Sequence, residues 1–310
     1  MRTIQSIFIL LLLWAGMIPS VWADWKASRQ ALDHHLASGN FKIFYTLSGV
    51  NAFPSSSSVP NAELAKSYAQ QFAQKLNNAA SYYESTLGFK PFFATRRYAR
   101  VTSVDVHIMS MGRSNGSTGD EIHSFAYAYF PSSPSAVAVT LSSSLQPGNL
   151  TPEHELMHVY MNSYTFFKNR WFTEGMARAS ERFFRTNLDP TAVLPQSSAQ
   201  LNALLSQSYD AQTFWSRLIT LCGQKVWGVT LENFNRMDRQ AALARGLDPT
   251  AWPEAEQFST DNDPYLLKGI SEALQESCPT QDTTEIRQFL SVMSSRTGEI
   301  VKNRSPGLLD

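Results

Sequence analysis

His154 and His158 constrain this chain more than any other pair of residues. They lie four apart in His154-Glu155-Leu156-Met157-His158. On a helix a four-residue step turns the heading by only about 40°, so both imidazoles leave one face. Such a pair suits a single tetrahedral zinc. Glu155 points about a quarter circle away, where it can take a proton from a water beside the metal. The stretch is therefore expected to be helical. The fold must also deliver another ligand, because catalytic zinc usually takes three protein groups and leaves one position open.

The candidates for that ligand are few. No His stands at 161 or 164, which are Met161 and Tyr164, and no cysteine is near. Glu174, in Trp171-Phe172-Thr173-Glu174-Gly175, lies far enough past His158 for one helix to finish, turn and enter an antiparallel partner. The small Gly175 and Ala177 favour a close approach of those two helices. The competing reading of Glu174 is an exposed acid at a helix start, favoured by the macrodipole.

The N-terminus bears on the compartment. Arg2 precedes an apolar run from Ile7 to Ile18, Pro19 breaks it, and Val21-Trp22-Ala23 offers a small-x-small cleavage site before Asp24. That layout predicts a signal peptide over 1–23 and export to the periplasm or the exterior, with an uncleaved anchor as the alternative. No later stretch is apolar enough to span a bilayer. Cys222 and Cys278, the two cysteines, both follow the leader, so a disulfide is expected, against two separate buried thiols. Lys+Arg 26 balances Asp+Glu 26, which gives no electrostatic reason to expect nucleic acid as a partner.

The rest divides by texture. Phe41–Thr46 and Val101–Met109 read as strands, the latter with Val104, Val106 and Ile108 on one face. A Ser/Pro-rich loop runs from Phe53 to Pro60. Asn61 caps a helix striped by Leu64, Tyr68, Phe72, Leu76, Tyr83 and Leu87 and stopped by Gly88. Met111–Glu121 reads as a polar loop. Phe125–Phe130 and Ala136–Leu141 read as strands of a hairpin across Pro131-Ser132-Ser133-Pro134. Beyond Leu141 helices take over. Thr151 is placed as N-cap with Pro152 behind it, a second helix covers Phe172–Phe184, and others fall near Ala199–Ser206, Asp210–Cys222, Pro264–Gln275 and Thr284–Ser294. The expected class is α+β: a mixed-sheet subdomain over 24–150, then a helical one over 151–310 with the metal site and a C-terminal lobe.

His154-Glu155-x-x-His158 followed by Trp171-x-x-Glu174-Gly175 resembles the gluzincin branch of zinc metallopeptidases. It is especially similar to the peptidase-MA-like domain family of secreted bacterial metalloproteases. Tyr209–Trp215 with Gly223, Phe41–Thr46, the Leu64–Leu87 helix and Leu87-Gly88-Phe89 resemble its flanking parts more weakly. The resemblance implies a zincin-like fold, one Zn2+ on His154, His158 and Glu174, Glu155 as general base and then proton donor, and peptide or protein as substrate. It also implies an oxyanion donor, for which Tyr209 matches best and Tyr160 and Tyr164 are rivals. An edge strand for the substrate is implied too, and Ala136–Leu141 is the candidate. Thermolysin-like relatives carry a carboxylate four residues after the ligand Glu; here Arg178 stands there, so the partner orienting a zinc histidine must come from elsewhere, with Asn162, Ser180, Glu181 and backbone carbonyls as candidates. The alternative to an exported peptidase is a noncatalytic envelope protein in which zinc only pins two helices.

Overall fold

A computed structural model describes residues 21–53, 61–185, 192–278 and 284–302. The expected signal peptide lies outside them except for its last three residues, which open α1 (Val21–Gln30). Most of the Ser/Pro-rich loop also lies outside.

Aromatic and β-branched runs build the centre. After β1 (His34–Ser38) come β2 (Phe41–Tyr45), α2 (Ala62–Ser85), β3 (Ser103–Met109), β4 (Gly116–Phe125) and β5 (Ser133–Ser142). The five strands form one sheet in the order β1-β2-β3-β5-β4. β2, β3 and β5 run parallel; β1 and β4 are antiparallel additions at the two edges. Ile43, Val104, Val106, Ile108, Val137 and Val139 join the main core with the helices. β3 is buried on its second face as well, where Asp105 and His107 bond through the Tyr127 hydroxyl. His107 is thus structural.

α2 begins where Asn61 Oδ1 accepts the Leu64 N–H at 2.9 Å, and the left-handed Gly88 (φ 75°) turns the chain soon after the helix ends. Then follow α3 (Thr151–Tyr164), α4 (Arg170–Ser180), α5 (Ser198–Leu205), α6 (Gln212–Cys222), α7 (Val226–Arg245), α8 (Glu254–Gln257), α9 (Asp263–Ser277) and α10 (Thr284–Lys302). The molecule is α+β. Cys222 and Cys278 form a disulfide with Cα atoms 4.3 Å apart, tying the end of α6 to the end of α9. Among the described residues no helix is long and apolar enough to cross a membrane.

Several expectations need correction. Much of the supposed polar loop 111–121 belongs to β4: an edge strand takes its order from the β5 ladder, and its outer side needs no apolar alternation. Only Phe125 of the Phe125–Phe130 run is in a strand; Tyr127 and Phe130 pack from a loop against the sheet's second face. The expected hairpin is present as β4 and β5, but β5 starts at Ser133, so the connection covers residues 126–132 and not Pro131–Pro134. β5 is also interior, between β3 and β4, so Ala136–Leu141 has no free edge for a substrate. Thr151 is the first residue of α3, not its cap; Leu150 holds that position and Asn149 Oδ1 accepts the Thr151 N–H at 2.9 Å. The Phe172–Phe184 helix is α4 followed by a 3-10 turn, Glu181–Phe184. β1 and the long α7 were not anticipated. α7 buries Val226, Trp227, Leu231, Phe234 and Met237 among polar neighbours, a pattern too mixed for one clean apolar stripe.

Candidate metal centre

α3 and α4 are joined by only Thr165–Lys168 and Asn169, which folds them into a hairpin with the metal-type residues on its inner side. Nε2 of His154 and Nε2 of His158 are 3.2 Å apart. Oε2 of Glu174 lies 3.5 Å from the first and 3.8 Å from the second. Zinc bonds of about 2.0–2.1 Å in tetrahedral geometry put ligand atoms about 3.3 Å apart, so this triangle has the size of one zinc face. Among the described residues it is also the one His/Cys/Asp/Glu group whose donor atoms cluster tightly enough for an ion.

The donor atoms are prepared for a cation. Glu174 Oε2 is buried and accepts no hydrogen bond, which is costly for a carboxylate unless something positive arrives. Burial pushes the Glu174 carboxyl up, but His154 and His158 beside it outweigh that and hold it at about 2. The two imidazoles are too close for both to be charged. Burial and the neighbouring His154 push His158 well down, whereas Glu174 and Glu181 overcome burial to raise His154. Outside the triangle His154 Nδ1 meets Glu181 Oε1 at 3.0 Å. Donation there keeps a ring proton on Nδ1, so it is the Nε2 proton that a metal would displace to reach the inward-facing lone pair.

Glu181 therefore fills the orienting position, while Asn162 and Ser180 do not: Asn162 Oδ1 accepts from Lys168, and the Ser180 hydroxyl donates to Ala177 O. Arg178 is not a gap in the design but a clamp. Its Nη1 donates to Glu181 Oε2 at 2.7 Å, and Arg185 donates to the same oxygen. Glu174 and Glu181 are two helical turns apart, so both reach α3 from one face.

Comparison of the chain with protein-family models, curated proteins and solved structures finds no match. The gluzincin resemblance thus rests on the residues themselves.

Glu155 is 6% exposed. Its Oε2 accepts from the Thr118 hydroxyl of β4 at 2.7 Å. Burial pushes its carboxyl up to about 7, against the pull of His154 and Thr118. Tyr209 is 48% exposed, its ring 5.9 Å from that of His154. Burial and the Glu174 carboxylate push its phenol up to about 12, so it stays a donor. The rivals are held elsewhere: Tyr160 donates to Glu84 at 2.5 Å, and the Tyr164 hydroxyl, buried, is turned to the Lys90 N–H, which it accepts at 2.6 Å.

Two glycines set these distances. A Cβ on Gly175 would lie 2.7 Å from Ala211 Cβ and 3.0 Å from Trp215 Cδ1. The small residue after Glu174 thus admits the Tyr209–Ala211 turn and α6, rather than α3 as the sequence suggested. A Cβ on Gly116 of β4 would lie 2.6 Å from Glu155 Oε1 and 2.5 Å from Thr151 Cγ2. Gly116→Ala is therefore expected to displace the Glu155 carboxylate and leave the His154, His158 and Glu174 donor atoms where they are. A structure of the variant with the Glu155 carboxylate shifted and the three donor atoms unmoved is the expected result; an unmoved carboxylate would show that β4 gives way instead. Neither Gly116 nor Thr118 carries a signal in the sequence, because their role exists only once β4 crosses α3.

Proposed function

We propose that this protein is an exported zinc-dependent peptidase of gluzincin type. The observation that carries the reading is the convergence of Nε2 of His154, Nε2 of His158 and the buried Oε2 of Glu174, with the buried Glu155 carboxylate on the next helical position. A structural ion has no use for that carboxylate, whose burial costs stability.

Zinc held by His154, His158 and Glu174 would supply Lewis acidity for a scissile carbonyl and a water. The chain's own residues do the rest. Glu155, poised near neutral pH, accepts the proton of the attacking water and then passes it to the leaving amine. Thr118 holds the carboxylate in place through one oxygen. Tyr209 donates its phenolic hydrogen bond to the oxygen on which negative charge develops. β4, the strand at the sheet edge beside α3, replaces β5 as the surface on which an extended peptide adds as a strand.

The test combines metal analysis, chelator melting and peptide cleavage on the mature protein. One equivalent of zinc, a lower melting temperature after chelation and zinc-dependent cleavage of a broad peptide library are expected. Zinc-dependent stability without cleavage of any peptide would favour an ion that merely pins α3 to α4.

A further inference from the structure

One turn beyond His158, on the same side of α3, lies Asn162, and against it an ammonium that the metal chemistry does not use. Lys168 Nζ donates to Asn162 Oδ1 and stands 3.3 Å from Asp120 Oδ2 of β4. Its side chain is 12% exposed. The position is fixed from behind, since the Lys168 N–H donates to Gln257 O at 2.8 Å. The charge is felt at His158.

The charges here do not balance. Asp120 serves two cations, because Arg97 Nη2 donates to the same Oδ2 at 2.6 Å. Arg97 also spends Nη1 on the Asn162 and Thr165 carbonyls. The next carboxyl outward, Asp238 on α7, is pushed up to about 7 by burial, against the pull of Arg97 and its hydrogen bonds, so at neutral pH and below it offsets only part of the excess. Burial pulls the Lys168 ammonium down to about 8, with Asp120 opposing. An ammonium has three donors, of which Asn162 and Asp120 take two. A buried excess cation is costly until an anion meets it.

We infer that Lys168 is the cation of a substrate-carboxylate subsite beside the metal residues. Thr118 and Asp120 are two residues apart on β4, the first over Glu155 and the second over Lys168. β4 departs from regular pairing between Thr118 and Ile122 and the Asp120 carbonyl accepts the Tyr98 hydroxyl at 3.0 Å, so the placement rests on the Thr118 and Asp120 side chains and not on a regular strand added at this point. A peptide held over Glu155 and continuing past Thr118 towards Asp120 brings a carboxylate near the bond being cleaved to the ammonium. That carboxylate is an Asp or Glu side chain or the peptide's own C-terminus; both offer the same chemistry.

The inference rests on the peptidase reading, and its test separates the two. Zinc-loaded full-length mature protein is given matched peptides, neutral or with Asp or Glu at each position near the cleavage site, each as free acid and as C-terminal amide. The expected kcat/KM ratio of acidic over neutral peptides is on the order of tenfold, the factor one charge-assisted hydrogen bond supplies. A preference that survives amidation assigns the subsite to a side chain; one that vanishes assigns it to the terminus. In Lys168→Met the ratio is expected to fall towards one, and in Lys168→Arg to persist. Dissociation constants of the same peptides on Glu155→Gln read the preference without turnover. Equal cleavage of neutral and acidic peptides by the wild type overturns the subsite and leaves the peptidase. A ratio that persists in Lys168→Met overturns it too, whereas no cleavage of any peptide overturns the peptidase reading itself.

Discussion

Replacing Glu155 by Gln is expected to cut peptide hydrolysis by about two to four orders of magnitude, the span a positioned proton-transfer group contributes. Zinc is expected to stay bound at one equivalent. The amide has the shape of the carboxylate and its oxygen still accepts from Thr118, so His154, His158 and Glu174 have no cause to move. A stability readout goes with the rate. The folded carboxyl sits at about 7, raised by burial from an unfolded value of 4.5. A raised carboxyl contributes stability that is fully present below the unfolded pKa and lost as pH rises through the folded one. In metal-free protein the Gln variant is therefore expected to gain in melting temperature relative to wild type between pH 5 and pH 8. Calorimetry at the two pH values measures this. A variant that hydrolyses peptides at the wild-type rate would remove Glu155 from the mechanism.

The clustering of His154, His158 and Glu174 was legible in the sequence because its geometry is local. His154 and His158 share a face by helical period alone, and Glu174 follows from one short hairpin. Glu181 was legible only as one of several options. Its distance from Glu174 fits one helix face, but the choice over Asn162 and Ser180 depended on which side chains other contacts had already claimed. What failed was long-range. Gly116–Glu121 has the composition of a loop, and only pairing with β5 makes it a strand. The same pairing buries Ala136–Leu141 and moves the free edge to β4. Tyr127 and Phe130 looked like strand residues because aromatics bury readily, and burial does not require a strand. α7 escaped for the opposite reason: a helix packed on several sides has no single stripe to find. Lys168 and Asp120 lie far apart in sequence and meet only because β4 comes against the α3–α4 connection.

Glu181 bears the second large expectation. Changing it to Ala is expected to weaken zinc binding about 10- to 100-fold, the usual cost of removing the group that orients a ligating histidine. The reason is specific to His154. Without Oε1 the ring loses the acceptor at 3.0 Å that fixes its proton on Nδ1, and the tautomer with a protonated Nε2 cannot bind a metal. Glu181→Gln retains an oxygen for that hydrogen bond but not the charge, so its loss is expected to be smaller than that of Ala. Arg178→Ala leaves Arg185 on the same oxygen, and the Arg178 side chain is 38% exposed, so its effect is expected to be smaller still. The order Ala, then Gln, then Arg178→Ala, measured by competition against a chelator of known affinity, distinguishes orientation from simple packing. Glu181 also joins Arg178 and Arg185 at the end of α4, and that role alone would lower the melting temperature of the metal-free protein while leaving the zinc dissociation constant where it was. A fall in stability with unchanged zinc affinity would assign Glu181 to the helix end and return the orienting partner of His154 to an open question.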